Sequence, residues 1–167
     1  ITLTTGAGVS LIDASGTAGA GGNVTLIAFS NAAGNGNGTI VLPTTSNINS
    51  SGSAGNSNGN IAIGAGRSSG AAAVGIQLGS LTASGGVTTT GGKITVALAQ
   101  PTVSVGGVTY DSTGAISNGG SFAFPVATGT TDQRIQIGAG VGQSIRSGGN
   151  VNLSAGGALT LNLGAVS

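Results

Sequence analysis

The chain contains no cysteine, histidine, methionine, tryptophan or glutamate, and only seven of its 167 residues are charged. Each absence removes a class of function. Without cysteine there is no disulfide and no thiolate metal site. Without histidine or glutamate, acid–base catalysis rests on three aspartates, which supply neither an imidazole nor a paired-carboxylate site. The expectation is a protein that is not an enzyme and takes no cofactor or metal. Arg67, Lys93, Arg134 and Arg146 are scattered against Asp13, Asp111 and Asp132, so no basic stripe exists for phosphates and nucleic acid is not an expected partner. No apolar run approaches 18 residues, so no membrane-spanning helix is expected. The chain opens on Ile1, and no charged region precedes an apolar one. It therefore reads as a processed product of export or an excised segment.

What the chain does have is glycine, 35 residues of it, together with aliphatics and Ser, Thr and Asn. Aromatics are limited to Phe29, Phe122, Phe124 and Tyr110, so any core is thin and aliphatic. Disorder would require low hydrophobicity and high net charge. The mean hydropathy is +0.38 and the net charge +1, which fits neither condition. A net charge near zero also gives little self-repulsion and favours association.

Helical periodicity is lacking, whereas short alternating runs recur. Examples are Val24-Thr25-Leu26, Ile61-Ala62-Ile63, Ile94-Thr95-Val96, Ile135-Gln136-Ile137 and Leu159-Thr160-Leu161-Asn162-Leu163. Many follow the same turn. Gly21-Gly22-Asn23-Val24-Thr25-Leu26 returns at 58–63, 91–96, 119–124 and 148–153, at spacings of roughly 28–37 residues, which indicates repeat architecture. Gly22, Asn23, Gly59, Asn60, Gly92, Gly120, Gly149 and Asn150 are the turn positions of these copies. The Asn residues there read as left-handed or self-bonding turn residues, or as a stacked ladder along the axis. A second element, an aliphatic step into Ser and Gly, precedes most copies at Ile12–Gly16, Ile48–Gly52, Leu81–Gly85 and Ile145–Gly148. A third similarity links Ile61–Gly66 with Ile135–Gly140. Pro43, Pro101 and Pro125 each follow a run, as strand terminators do.

The expected fold is all-β, a single domain over residues 1–167. It is read as a parallel β-solenoid of roughly six coils, on the order of 30 Å long at one strand spacing per coil. The run Val103–Tyr110 dissents, because two alternating segments around Gly106-Gly107 form a hairpin signal. It fits a hairpin protruding from a solenoid, and it also keeps open an antiparallel Ig-like or Greek-key sandwich with donor-strand exchange.

The Gly-Gly-Asn-Val-Thr-Leu run at 21–26, its copy at 148–153, and the Ala14-Ser15-Gly16 and Ala83-Ser84-Gly85 steps resemble the repeat region of filamentous haemagglutinin-like bacterial surface proteins. The resemblance implies a right-handed parallel β-solenoid, secretion and display at the cell surface. It brings no catalytic residues, and the family's secretion-domain signature is not visible.

The functional expectation is a structural subunit of an extracellular filament whose partner is itself. Ile1, Thr2, Leu3 and Thr4 of one copy would pair with the strand carrying Leu159, Leu161 and Leu163 of the next, because uncapped ladder ends recruit further strands. Alternatives are a stalk segment of a larger cell-surface adhesin, and an ice- or carbohydrate-binding solenoid in contact with a surface or glycan. Asn23, Asn37, Asn49 and Asn152 match the N-glycosylation acceptor pattern.

Overall fold

The computed structural model describes residues 10–28, 38–66, 74–87, 91–98, 103–105, 108–110, 116–118, 134–154 and 159–167. In chain order the strands begin with β1 (Ser10–Asp13) and β2 (Val24–Ala28), then β3 (Ile40–Val41), β4 (Asn47–Asn49) and β5 (Ile61–Ala65). Next come β6 (Val74–Leu78), β7 (Ser80–Ala83) and β8 (Ile94–Ala97). Three short strands follow, β9 (Val103–Val105), β10 (Val108–Tyr110) and β11 (Ile116–Asn118). The chain closes with β12 (Arg134–Ser147), β13 (Val151–Ser154) and β14 (Leu159–Val166).

These strands form a parallel β-solenoid. One sheet runs β13-β8-β5-β2, and every neighbouring pair in it is parallel. The other runs β1-β4-β7-β12-β6-β3, with β14 also on β12 and every pair again parallel. Its doubled-back order has a simple cause. β12 is one long strand that covers two: its start pairs with β6 and its end with β7. The described strands therefore make four coils and the beginning of a fifth, with β8 and β13 direct neighbours although β9, β10 and β11 lie between them in sequence.

Register follows the repeated modules. Val24, Ile61, Ile94 and Val151 stack in one column, and Leu26, Ile63, Val96 and Leu153 in the next. Ile12, Ile48, Leu81 and Ile145 form a third column. Ile40, Ile76 and Ile135 form a fourth. Side chains from both sheets meet in one core that, among the described residues, consists of Val, Ala, Ile and Leu, and Ile63, Ile76, Leu81, Ile94 and Ile135 are fully buried in it. Alternation places Thr25, Ala62, Thr95 and Asn152 on the opposite, outer face. Parallel strands need a crossover, and here the whole coil is the crossover.

Several expectations change. The antiparallel sandwich is excluded for the coils, since antiparallel pairing among the described residues is confined to β9, β10 and β11. The hairpin signal at Val103–Tyr110 is that unit: Val105 faces Val108 across Gly106-Gly107, and Tyr110 faces Val103. A third strand, β11, joins it and was not read from the sequence. The copy at 119–124 lies outside the described residues, and the sheet has no place for it between β8 and β13, which pair directly. The interval from Ile94 to Val151 is accordingly longer than the expected repeat. Ile61–Gly66 and Ile135–Gly140 do not stack either, because β5 and β12 belong to different sheets; Ile135 lies over Ile76 instead. Pro43 directly follows Leu42, whose N–H is still bonded to Gln77 at 2.9 Å, so it does end a ladder. Pro101 and Pro125 lie outside the described residues.

Two outcomes are expected. Replacing residues 99–133 by a link as short as the one joining β5 to β6 leaves the parallel core intact. Shortening the closed loop contributes about 1 kcal/mol in favour of folding, so circular-dichroism melts should show an unchanged or slightly raised Tm. Ile76→Ala, at a site with no exposure, costs about 2–5 kcal/mol in urea unfolding. Leu161→Ala, at a site 43% exposed, costs less than about 1.5 kcal/mol.

Candidate assembly surface

The corners carry most of the polar chemistry. Just before β2 and β5, the side chains of Asn23 and Asn60 reach the backbone of the next coil. The Asn60 N–H donates to Asn23 Oδ1 at 2.8 Å, and the Lys93 N–H donates to Asn60 Oδ1 at 2.9 Å. Of the readings the sequence left open for these Asn residues, the ladder is the one that the geometry of 23 and 60 matches. None of the described non-glycine residues has positive φ, so the left-handed reading does not apply. The left-handed positions are glycines: Gly91 and Gly92 have φ of 73° and 77°. A Cβ on Gly92 would also lie 2.7 Å from the Ala83 carbonyl oxygen, so backbone stacks directly on backbone. Gly59 is likewise pressed against the Gly22 carbonyl, and Gly149 against that of Gly91. Gly120 lies outside the described residues.

The same connections begin with Asx turns, and the Gly22 N–H bonds back to the Ala14 carbonyl at 2.7 Å. The Ser15 N–H donates to Asp13 Oδ1 at 2.9 Å, and one coil on, the Ser51 N–H donates to Asn49 Oδ1 at 3.1 Å. Hydrogen bonds from the Ser15 hydroxyl, and then from its backbone N–H, hold the Asp13 carboxyl below its ordinary pKa. A lowered folded value stabilises above the ordinary carboxylate pKa of about 3.9 and loses that contribution as pH falls through the lowered value.

Asn58 was not singled out from the sequence. It is buried, and its Oδ1 accepts from the Gly52 N–H at 3.0 Å in its own coil and from the Gly86 N–H at 2.8 Å in the next. Its Nδ2 donates to the Val87 carbonyl at 3.1 Å. The available signal was a substitution within the repeat: Asn58 stands where the other copies have Gly21, Gly91 and Gly148. Small serines support the remaining corner. The Ser80 N–H donates to the Ser46 carbonyl at 2.7 Å, and the Ser144 N–H to Ser80 Oγ at 3.0 Å.

The sequence-predicted assembly residues fall at the two ends of the chain. Ile1, Thr2, Leu3 and Thr4 lie outside the described residues. Leu159, Leu161 and Leu163 lie on β14 and pair with Ile135, Ile137 and Gly140 of β12. Leu161 is 43% exposed although its partner Ile137 is fully buried, and Leu163, Val151 and Leu153 are only partly covered. The apolar columns thus run out to solvent at this end, and among the described residues no strand pairs the outer edge of β13 or β14.

The four acceptor-pattern asparagines differ in access. Asn23 and Asn152 are exposed, Asn49 is half-buried and engaged with Ser51, and Asn37 lies outside the described residues. Among the described residues there is no group of three or more His, Cys, Asp or Glu able to hold a metal ion, and no helix is long and apolar enough to cross a membrane. No family model matches the chain, and no curated protein or solved structure matches it.

Asn58→Ala strands the buried Gly52 N–H together with the part-buried Gly86 N–H and Val87 carbonyl, and is expected to cost about 3 kcal/mol. Asn23→Ala, at an exposed rung of the ladder, should cost less than about 1 kcal/mol. Urea denaturation of both variants checks the difference.

Proposed function

We infer that this chain is a structural subunit of an extracellular filament that joins copies end to end. The observation carrying this reading is the open end at β13 and β14, where Leu161 is 43% exposed at the top of an otherwise buried column. Unpaired strand edges template further strands, and a heterologous end-to-end contact builds an open filament rather than a ring. The scarcity of charge favours such contacts. The absence of His, Cys and Glu from the whole chain leaves little side-chain chemistry for any other role. Export and surface display rest on the resemblance of the Gly-Gly-Asn modules to filamentous haemagglutinin-like repeats.

A second reading, a stalk segment of a larger adhesin, draws on the same open edge. A coil edge accepts a further coil of its own chain as readily as one from another copy.

Electron microscopy of concentrated protein separates the two. Micrometre fibres that vanish on deletion of Ile1–Thr4 are expected for the filament, and dispersed short rods for the stalk. Fibres that persist after the deletion would remove the end-pairing mechanism.

A further inference from the structure

Among the described residues the two edges at the β13 and β14 end are uneven. β14 pairs with β12 and adds a layer to the sheet that holds it, whereas no described strand lies beyond β13 in the β13-β8-β5-β2 sheet. The outer edge of β13 therefore lies one strand lower than its neighbour, and that edge has its own hydrogen-bonding pattern.

At the entry to the second sheet, each coil donates from the first residue of its strand to the carbonyl of the corner residue one coil on. The Val24 N–H reaches the Asn60 carbonyl at 2.9 Å, the Ile61 N–H reaches Lys93 at 2.9 Å, and the Ile94 N–H reaches Asn150 at 3.0 Å. Val151 is the next donor in the series. The side-chain ladder runs with the opposite polarity: Asn23 Oδ1 accepts from the Asn60 N–H, and Asn60 Oδ1 from the Lys93 N–H. The ladder lapses at Lys93, which has no side-chain acceptor, and Asn150, an exposed residue, restores one at the end of the stack. Beside these two groups, Val151 and Leu153 are only partly covered columns of the core.

These features define the strand that fits. Its corner residue must offer a carbonyl to Val151 and an N–H to Asn150. A glycine must directly precede that residue, as Gly59, Gly92 and Gly149 do, because the corner stacks backbone on backbone. Aliphatics must then alternate to cover Val151 and Leu153. Residues 21–26, Gly-Gly-Asn-Val-Thr-Leu, meet every requirement, and β2 already pairs with β5 in this register. A folded second copy cannot deliver its β2 to this edge. Its β1 would need the layer over Ile145 that Val166 of β14 already occupies.

We propose that the outer edge of β13 is an acceptor for one parallel strand, supplied in extended form by a partner segment of the type Gly-Gly-Asn-aliphatic-x-aliphatic. This is β-augmentation in which the main chain gives affinity and the alternating side chains give selectivity. It does not depend on the filament reading.

The test uses the full chain and a fluorescent, photo-crosslinkable peptide with the sequence of residues 20–28. Saturable binding is expected, with crosslinks mapping to residues 150–154. A peptide carrying Val24→Asp and Leu26→Asp should lose binding at least tenfold. In the chain, Asn150→Ala should weaken binding by about three- to tenfold, the range for one hydrogen bond. Val151→Pro removes only the outward donor and should abolish binding while the melting curve is retained. The two peptides on the unaltered chain decide the matter if that variant fails to fold. Absence of saturable binding, equal binding of the aspartate peptide, or crosslinks confined to β2 or β14 would overturn the proposal. Fibres formed by a chain that does not take up the peptide would overturn it while leaving the filament reading intact.

Discussion

In-register parallel stacking is the constraint on which everything else in this molecule rests. Each residue meets its own counterpart one coil above and one below, about 4.8 Å away. Whatever a position contains, it must tolerate a near-copy of itself. Aliphatics do, and the Val24, Ile61, Ile94 and Val151 column is the result. Like charges do not, since two at that spacing repel by roughly 1 kcal/mol or more. The chain's poverty in charge follows from this. Asp13, Asn49, Thr82 and Arg146 share one column, with neutral residues separating the two charges. Lys93, just before β8, sits between Asn60 and Asn150. Asn tolerates stacking best of all, because its carbonyl oxygen can accept from the backbone of its neighbour.

The same constraint explains how much could be read from the sequence. Where a local module recurs, its copies stack, so the Gly-Gly-Asn turn and the Ile-x-x-Ser-Gly step predict register almost residue by residue. The hairpin at Val103–Tyr110 was legible because Gly-Gly between two alternating runs is a local signal. The failures share one cause: alternation states that a segment is a strand but not which sheet it joins. Ile61–Gly66 and Ile135–Gly140 look alike and lie in different sheets. The copy at Gly119–Phe124 lies outside the described residues, and β8 and β13 pair directly. Asn58 was overlooked because its role is non-local; its partners Gly86 and Val87 belong to the next coil.

Coil geometry also separates the scaffold from what it carries. β8 and β13 pair directly, and β12 pairs directly with β6 and β7, so the intervening strands β9, β10 and β11 add no layer between them. Those three strands pair antiparallel in a small sheet of their own. Variation there leaves the parallel columns untouched, which is the ordinary relation between connecting segments and a rigid frame.

Asn58 has a mechanical consequence. Tension applied along the stacking axis peels coils apart at their junctions, loading each set of inter-coil bonds in turn. The neighbouring junctions are held by main-chain bonds and by side-chain bonds at part-buried or exposed sites, such as Ser53 Oγ to the Gly19 carbonyl and the Ser144 N–H to Ser80 Oγ. The joint between the second and third coils also has a buried clasp, with one carboxamide gripping a backbone amide on its own side and an amide and a carbonyl on the far side. Under load the rod would yield unevenly, opening elsewhere before it parts at this rivet.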